Sequence, residues 1–107
     1  MNSLSSHVLD TTLGKPASGI KVTLETPTHE TYSGITDSDG RCKEWGDVDL
    51  IEGTYTLRFY CKQYLLAQHG DSFYPYVDIS FEIKASDEHY HVPLLLTPYG
   101  YSTYRGS

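Results

Sequence analysis

Basic residues are scarce in this chain and never clustered: Lys and Arg number 8 against 14 Asp and Glu among 107 residues. The net charge is −6 and the isoelectric point lies near 5.1. Phosphate backbones are held by grouped Lys and Arg, so this balance speaks against a nucleic-acid partner. Long apolar runs are missing as well. Nothing approaches the roughly 18 residues of a bilayer span, and no membrane partner is expected. The opening Met1-Asn-Ser-Leu-Ser-Ser has neither the charged nor the apolar part of a secretory leader. The expected location is therefore inside the cell, cytoplasmic or peroxisomal. Cysteine is sparse too. Cys42 and Cys61 allow at most one bridge and lack the C-x-x-C spacing of a redox or zinc site. In a reducing compartment they are expected as free thiols used for packing.

What the chain does have is tyrosine, 10 in all. Tyr forms strands readily and carries a polar tip, so its abundance suggests an all-β protein with a large interface. The length suits one domain, residues 1–107. A chain of this size buries roughly two thirds of its unfolded surface, so its fold requires neither metal nor disulfide.

Alternation marks the strands. Leu4 to Asp10 reads as the first, with Ser5, His7 and Leu9 on one face and Leu4, Ser6 and Val8 on the other. Thr11 to Gly19 is a loop by its Gly and Pro content. Ile20, Val22 and Leu24 alternate with polar residues in a half-buried strand, and Thr31 to Thr36 forms the next. Asp37-Ser-Asp-Gly40 is a turn by residue type, without the further ligands of a calcium loop. Arg41 follows it at the start of a short strand. Tyr55, Leu57, Phe59 and Cys61 share a face of the strand from Thr54. Lys62 to His69 breaks the period and, with Gly70 behind it, predicts one short helix. Val77, Ile79, Phe81 and Ile83 point inward from another strand. Ala85-Ser-Asp-Glu turns into the strand from His89 or Tyr90 to Leu96. About eight strands with one helix make a two-layer β-sandwich the natural solution.

The last seventeen residues, His91 to Ser107, carry the most unusual chemistry. A strand turns at Thr97-Pro-Tyr-Gly100 and runs outward as Tyr101-Ser-Thr-Tyr. Tyr104, Arg105, Gly106 and Ser107 then place a ring, a guanidinium and a hydroxyl side by side. Such an end is expected to be docked and to form part of a binding site. In the strand before it, His91, Pro93 and Leu95 share one face and Tyr90, Val92, Leu94 and Leu96 the other. Both are largely apolar, so one meets the core and the other another subunit. Pro93, lacking an N–H, marks an edge or a bulge.

Singly, His7, Arg41, His91 and Arg105 have ordinary readings: an edge residue, a solvated turn residue, an interface histidine, a terminal cation. Together they suit hydrolysis of an activated amide. A neutral imidazole can take a proton from water, and a guanidinium can grip a planar heterocycle and steady charge on its carbonyl oxygen. Two competitors are weaker. His89-x-His91 could start a zinc site but has no third ligand in register. Ser107 as a nucleophile has no Gly-flanked elbow or adjacent acid.

Three stretches then align with a known pattern. Ser6-His-Val-Leu-Asp10 with Gly14-Lys-Pro-Ala17, Thr36-Asp-Ser-Asp-Gly-Arg41, and His89 through Tyr104-Arg-Gly-Ser107 together resemble the transthyretin family, and within it the 5-hydroxyisourate hydrolases. The terminal Tyr-Arg-Gly-Ser is the feature that separates those hydrolases from the hormone carriers. Departures are small, such as Thr97 where Ser is commoner. The resemblance implies a β-sandwich subunit in a homotetramer, a dimer of dimers with sites in its central channel. It implies hydrolytic opening of 5-hydroxyisourate in urate breakdown, with no metal or organic cofactor. By the same resemblance, His7 and His91 serve water activation and proton transfer. Arg41 and Arg105 bind substrate and steady the oxyanion, while Tyr104, Gly106 and Ser107 complete the pocket. Which histidine is the base stays open. A carrier of a small aromatic ligand in the same channel is the alternative, and a monomeric β-sandwich module a third reading.

Overall fold

In chain order the elements are β1 (Ser3–Asp10), β2 (Lys15–Pro16), β3 (Lys21–Glu25), β4 (Thr31–Ile35), β5 (Arg41–Cys42), β6 (Gly53–Tyr60), α1 (Lys62–His69), β7 (Val77–Ile83), β8 (His89–Leu96) and β9 (Tyr101–Thr103). The computed structural model describes residues 1–84 and 87–107, so the turn expected from Ala85 falls partly outside them. The clearest alternations of the sequence make the back sheet, ordered β4-β3-β6-β7 and antiparallel throughout. Val22 and Leu24 from β3, Tyr55, Leu57 and Phe59 from β6, and Val77 and Ile83 from β7 are buried on its inner face. Each such side chain contributes about 1.5–3 kcal/mol by leaving water. Phe81, expected inward, is only partly buried and stacks on Tyr55 at a centroid distance of 6.0 Å.

The front sheet runs β2-β1-β8-β9, with β5 also paired to β1. Its centre is a parallel pair: β1 and β8 stay in register from Ser3 beside His89 to Asp10 beside Leu96. Leu4 and Val8 from β1 and Tyr90, Val92, Leu94 and Leu96 from β8 face the back sheet and close the sandwich. Trp45 is buried in the loop after β5, its Nε1–H donating to the Leu4 carbonyl at 3.0 Å. The expected β-sandwich with one helix is what forms, with β2 and β5 as two-residue additions. The residues after β8 do not run outward. They return antiparallel along β8 as β9.

Helix α1 occupies the predicted residues and ends at Gly70, whose φ of 77° lets its N–H reach the Leu66 carbonyl. No described helix is long and apolar enough to cross a membrane. Asp10, fully buried at the end of β1, ties the helix region to the front sheet. Its carboxylate accepts hydrogen bonds from Tyr64 Oη at 2.9 Å, His69 Nε2 at 2.7 Å and the Thr12 and Leu13 N–H groups. Burial would raise the pKa of this acid, but those bonds outweigh it and hold Asp10 below the usual carboxylate value. The cysteines are free and buried, and burial pushes the Cys42 thiol up to about 11.

Candidate active site

Parallel strands set residues side by side in rows, and alternate rows face alternate sides of the sheet. On the outer face of the front sheet the register places Ser3 beside His89, Ser5 beside His91, and His7 beside Pro93. Strand β5 adds Arg41 on the far side of His7. On the other flank the chain end adds Gly106 beside His91 through an isolated bridge. The register that joins Leu94 to Thr103 and His91 to Gly106 also sets Tyr104 opposite Pro93. One row therefore reads Arg41, His7, Pro93, Tyr104, and the next reads Ser5, His91, Gly106. Three distant parts of the chain meet here.

The loop before Arg41 is built to hold it. Asp37 Oδ1 accepts the N–H groups of Asp39 and Arg41, both at 2.9 Å. Those contacts, that of Arg41 first, hold the Asp37 pKa below its ordinary value. Gly40 turns the chain at φ 75°, and a Cβ there would meet the Val8 carbonyl at 2.4 Å. Glycine is required on both counts. The turn also fixes His7, whose Nε2 lies 2.7 Å from the Asp39 carbonyl. A carbonyl only accepts, so His7 carries its proton on Nε2 and its bare nitrogen is Nδ1. The Arg41 guanidinium meets no acceptor among the described residues and stands exposed at the end of its row.

His91 is half-buried, with Nδ1 2.7 Å from Ser5 Oγ. Burial lowers its pKa below the ordinary histidine value, and the electrostatic influence of Arg41 and of the neighbouring rings of His7 and His89 lowers it further, with Ser5 pulling the other way. At neutral pH the ring is uncharged, the form that can accept a proton. Its Nε2 has no hydrogen-bond partner among the described residues.

The tail is docked, but its side chains divide. Gly106 N–H donates to the His91 carbonyl at 2.8 Å. A Cβ on Gly106 would lie 2.4 Å from His91 Cδ2, so this backbone lies directly against the imidazole. Tyr104 is 57% exposed on the same face. Arg105 makes its contacts away from the histidine rings, although it lines one groove together with His91. Alternation turns it to the other side, where its guanidinium lies 4.6 Å from the Tyr90 ring centroid and Nη2 reaches Glu88 Oε1 at 3.4 Å. There a groove of about 340 Å3 opens between β7 and the tail, lined by Ile79, Phe81, Tyr90, His91, Tyr104 and Arg105 among others. Ser107 is exposed at the end.

Pro93 is buried in a strand paired on both sides, not at an edge. Its missing N–H is accommodated by a gap on the β9 side: the ladder stops at Thr103, whose hydroxyl donates to the Pro93 carbonyl at 2.7 Å, and resumes at Gly106. The gap frees Tyr104 and Arg105 from strand pairing. His89 and His91 do share a face, with rings 6.4 Å apart, and their nitrogens are bonded to Ser3 and Ser5. No motif in the sequence singles out either serine. The one available signal is the two-residue step from Ser3 to Ser5 to His7, which puts all three on one face.

Residues 4–106 match the HIUase/transthyretin family. The 5-hydroxyisourate hydrolase of Salmonella typhimurium is 45% identical over 111 residues, spanning 99% of this chain and 82% of that protein. The structure of Klebsiella pneumoniae 5-hydroxyisourate hydrolase superposes with a TM-score of 0.86 at 36% identity, covering 100% of this chain and 94% of the other. Sea bream transthyretin in complex with thyroxine has a TM-score of 0.85 at 24% identity, over 97% and 94% of the two chains, and shares the fold.

Proposed function

This chain belongs to the HIUase/transthyretin family, and we propose that it hydrolyses 5-hydroxyisourate in urate breakdown. The observation that carries the reading is the meeting of His7, Arg41 and His91 on one sheet face, with an uncharged His91 whose Nε2 is open. His91 Nε2 takes a proton from the attacking water as its oxygen bonds to the ring carbonyl. That proton passes to the ring nitrogen as the carbon–nitrogen bond breaks. Arg41, one residue across from His7, grips the planar substrate and steadies the carbonyl oxygen as it gains charge. His7 presents its bare Nδ1 and accepts from the substrate or the water.

The tail forms the remaining wall. Gly106 presses on the His91 ring, Tyr104 flanks Pro93, and Ser107 stands beyond them. Arg105 serves from behind: its contacts with Tyr90 and Glu88 clamp the tail so that Gly106 stays seated. The site face is open in a single chain, and Tyr104 is exposed on it. A homotetramer, a dimer of dimers, supplies the cover and excludes water. No step here draws on a metal or organic cofactor.

The carrier reading shares the fold but leaves two imidazoles and an open guanidinium without a task. Adding pure protein to freshly generated 5-hydroxyisourate and following its ultraviolet decay separates the two. Decay well above the spontaneous rate is expected. Decay at the spontaneous rate, with ligand bound, would make the protein a carrier.

A further inference from the structure

Beyond His7, Arg41 and His91, the outer face carries an unbroken hydrogen-bonded array. Ser3 Oγ lies 2.6 Å from His89 Nδ1, His89 Nε2 lies 2.9 Å from Ser5 Oγ, and Ser5 Oγ lies 2.7 Å from His91 Nδ1. The parallel register creates it, because it seats Ser3 beside His89 and Ser5 beside His91 along the whole pair. The His89 and His91 rings are held within 18° of parallel. A serine hydroxyl between two ring nitrogens has one proton to give, so it donates to one and accepts from the other. The array therefore has only two self-consistent senses.

In the first sense, His91 Nδ1–H donates to Ser5, the Ser5 hydroxyl donates to His89 Nε2, and His89 Nδ1–H donates to Ser3. His91 Nε2 is then bare. In the second sense every bond reverses and Nε2 carries the proton. Only the first leaves a base facing the substrate.

We infer that Ser5 and His89 are positioning residues for the hydrolysis, holding His91 in the tautomer that exposes Nε2. The inference rests on His91 being the base of the proposed reaction. As His91 gains its proton, the new imidazolium keeps its Nδ1–H on Ser5. That hydroxyl is already polarised by its bond to His89, which strengthens the acceptance. His89 touches neither substrate nor the reacting atoms. Its part is to keep the Ser5 proton turned away from His91, as a buried orienting group does for a catalytic histidine elsewhere.

Two measurements test this. Nitrogen-15 resonances of the histidine rings report the tautomer without reference to activity. Wild type is expected to show His91 protonated at Nδ1 and bare at Nε2, and Ser5→Ala to show a mixture of the two forms. In steady-state kinetics, Ser5→Ala and His89→Ala should each lower kcat by about 10- to 100-fold, with KM held within about twofold because binding is untouched. Ser5→Thr, which keeps the hydroxyl, should recover most of the loss. A proton on Nε2 in wild type would overturn the inference. So would wild-type kcat in both alanine variants, or Ser5→Thr as slow as Ser5→Ala. A wild-type protein that fails to hydrolyse 5-hydroxyisourate is a different result: it refutes the function, whereas an active wild type with unaffected variants refutes only the positioning role.

Discussion

Gly106→Ala probes the contact between the tail and the imidazole with a single methyl group. The added carbon would lie 2.4 Å from His91 Cδ2, 3.2 Å from Cγ and 3.4 Å from Cβ. Carbon atoms rest at about 3.5–4.0 Å, so the ring or the tail must move by about 1 Å. The ring has little room to retreat, because Ser5 Oγ sits 2.7 Å from its Nδ1. If the tail gives way instead, the Gly106 N–H leaves the His91 carbonyl and the site loses a wall. Displacing the ring moves the reacting nitrogen, and displacing the tail opens the site beside it, in either case by about 1 Å, which costs about 100-fold in rate. That corresponds to about 2.7 kcal/mol of transition-state stabilisation. Stability should fall by no more than about 1 kcal/mol, since one surface hydrogen bond is at stake. Gly100→Ala is the control, because its methyl would meet Thr97 Oγ1 at an ordinary 3.6 Å. The assay is kcat/KM for 5-hydroxyisourate beside a thermal melt for each protein. Full activity in Gly106→Ala, or an equal loss in Gly100→Ala, would refute the argument.

Three further outcomes are expected. Because burial and neighbouring positive charge lower the His91 pKa, the base stays uncharged until pH falls below 6.5. The acid limb of kcat/KM should therefore have its midpoint below that value, and a midpoint above it would point to another group. Asp10→Ala strands two N–H groups, Tyr64 and His69, and should cost about 3–5 kcal/mol in urea unfolding at neutral pH. The folded pKa of Asp10 lies below its ordinary 3.8, so the carboxylate stabilises the fold above that range and ceases to as pH falls through the folded value. The gap between wild type and variant should close in acid; a constant gap would remove the carboxylate from the account. Deleting Tyr104 to Ser107 should abolish hydrolysis and leave circular dichroism nearly unchanged, since Val92, Leu94 and Leu96 on β8 supply that side of the core. A truncated protein at the full-length rate would show that the tail is no part of the site.

Period two made much of this fold legible. Val22 and Leu24 on β3 and Leu57 and Phe59 on β6 each repeat one choice every second residue, and helix α1 stood out because Lys62 to His69 breaks that rhythm before a glycine. The parallel pairing of β1 with β8 was not legible. Its partners lie 86 residues apart, and nothing local marks them. Pro93 misled for a related reason: its missing N–H argues for an edge only when both flanks of a strand need donors at that point, and here the β9 flank does not. Arg105 shows the limit of reading four adjacent residues as one wall. Neighbours on an extended chain face opposite sides, so Tyr104 and Gly106 share the face of His91 while the Arg105 guanidinium turns to Tyr90 and Glu88. Ser5 carried no signal of its own and His89 suggested only a metal ligand, because the role proposed for them depends on that unread register.

The parallel pair also dictates when the site can come into being. The contacts that bring His7, Arg41 and His91 together join the first ten residues to residues 89–96 or to the turn around Arg41. Contacts of such span form slowly, commonly in milliseconds to seconds, because most of the chain must be ordered to bring their ends together. On a ribosome, β1 would emerge first and wait, its centre bonded on one flank only to β5. The back sheet, made of strands close in sequence, can assemble meanwhile. Activity would then arrive abruptly, with the last strand. A synthesis halted before β8 would yield a half-sandwich with no trace of catalysis, and with β1 exposed as a free edge for chaperones and proteases to find.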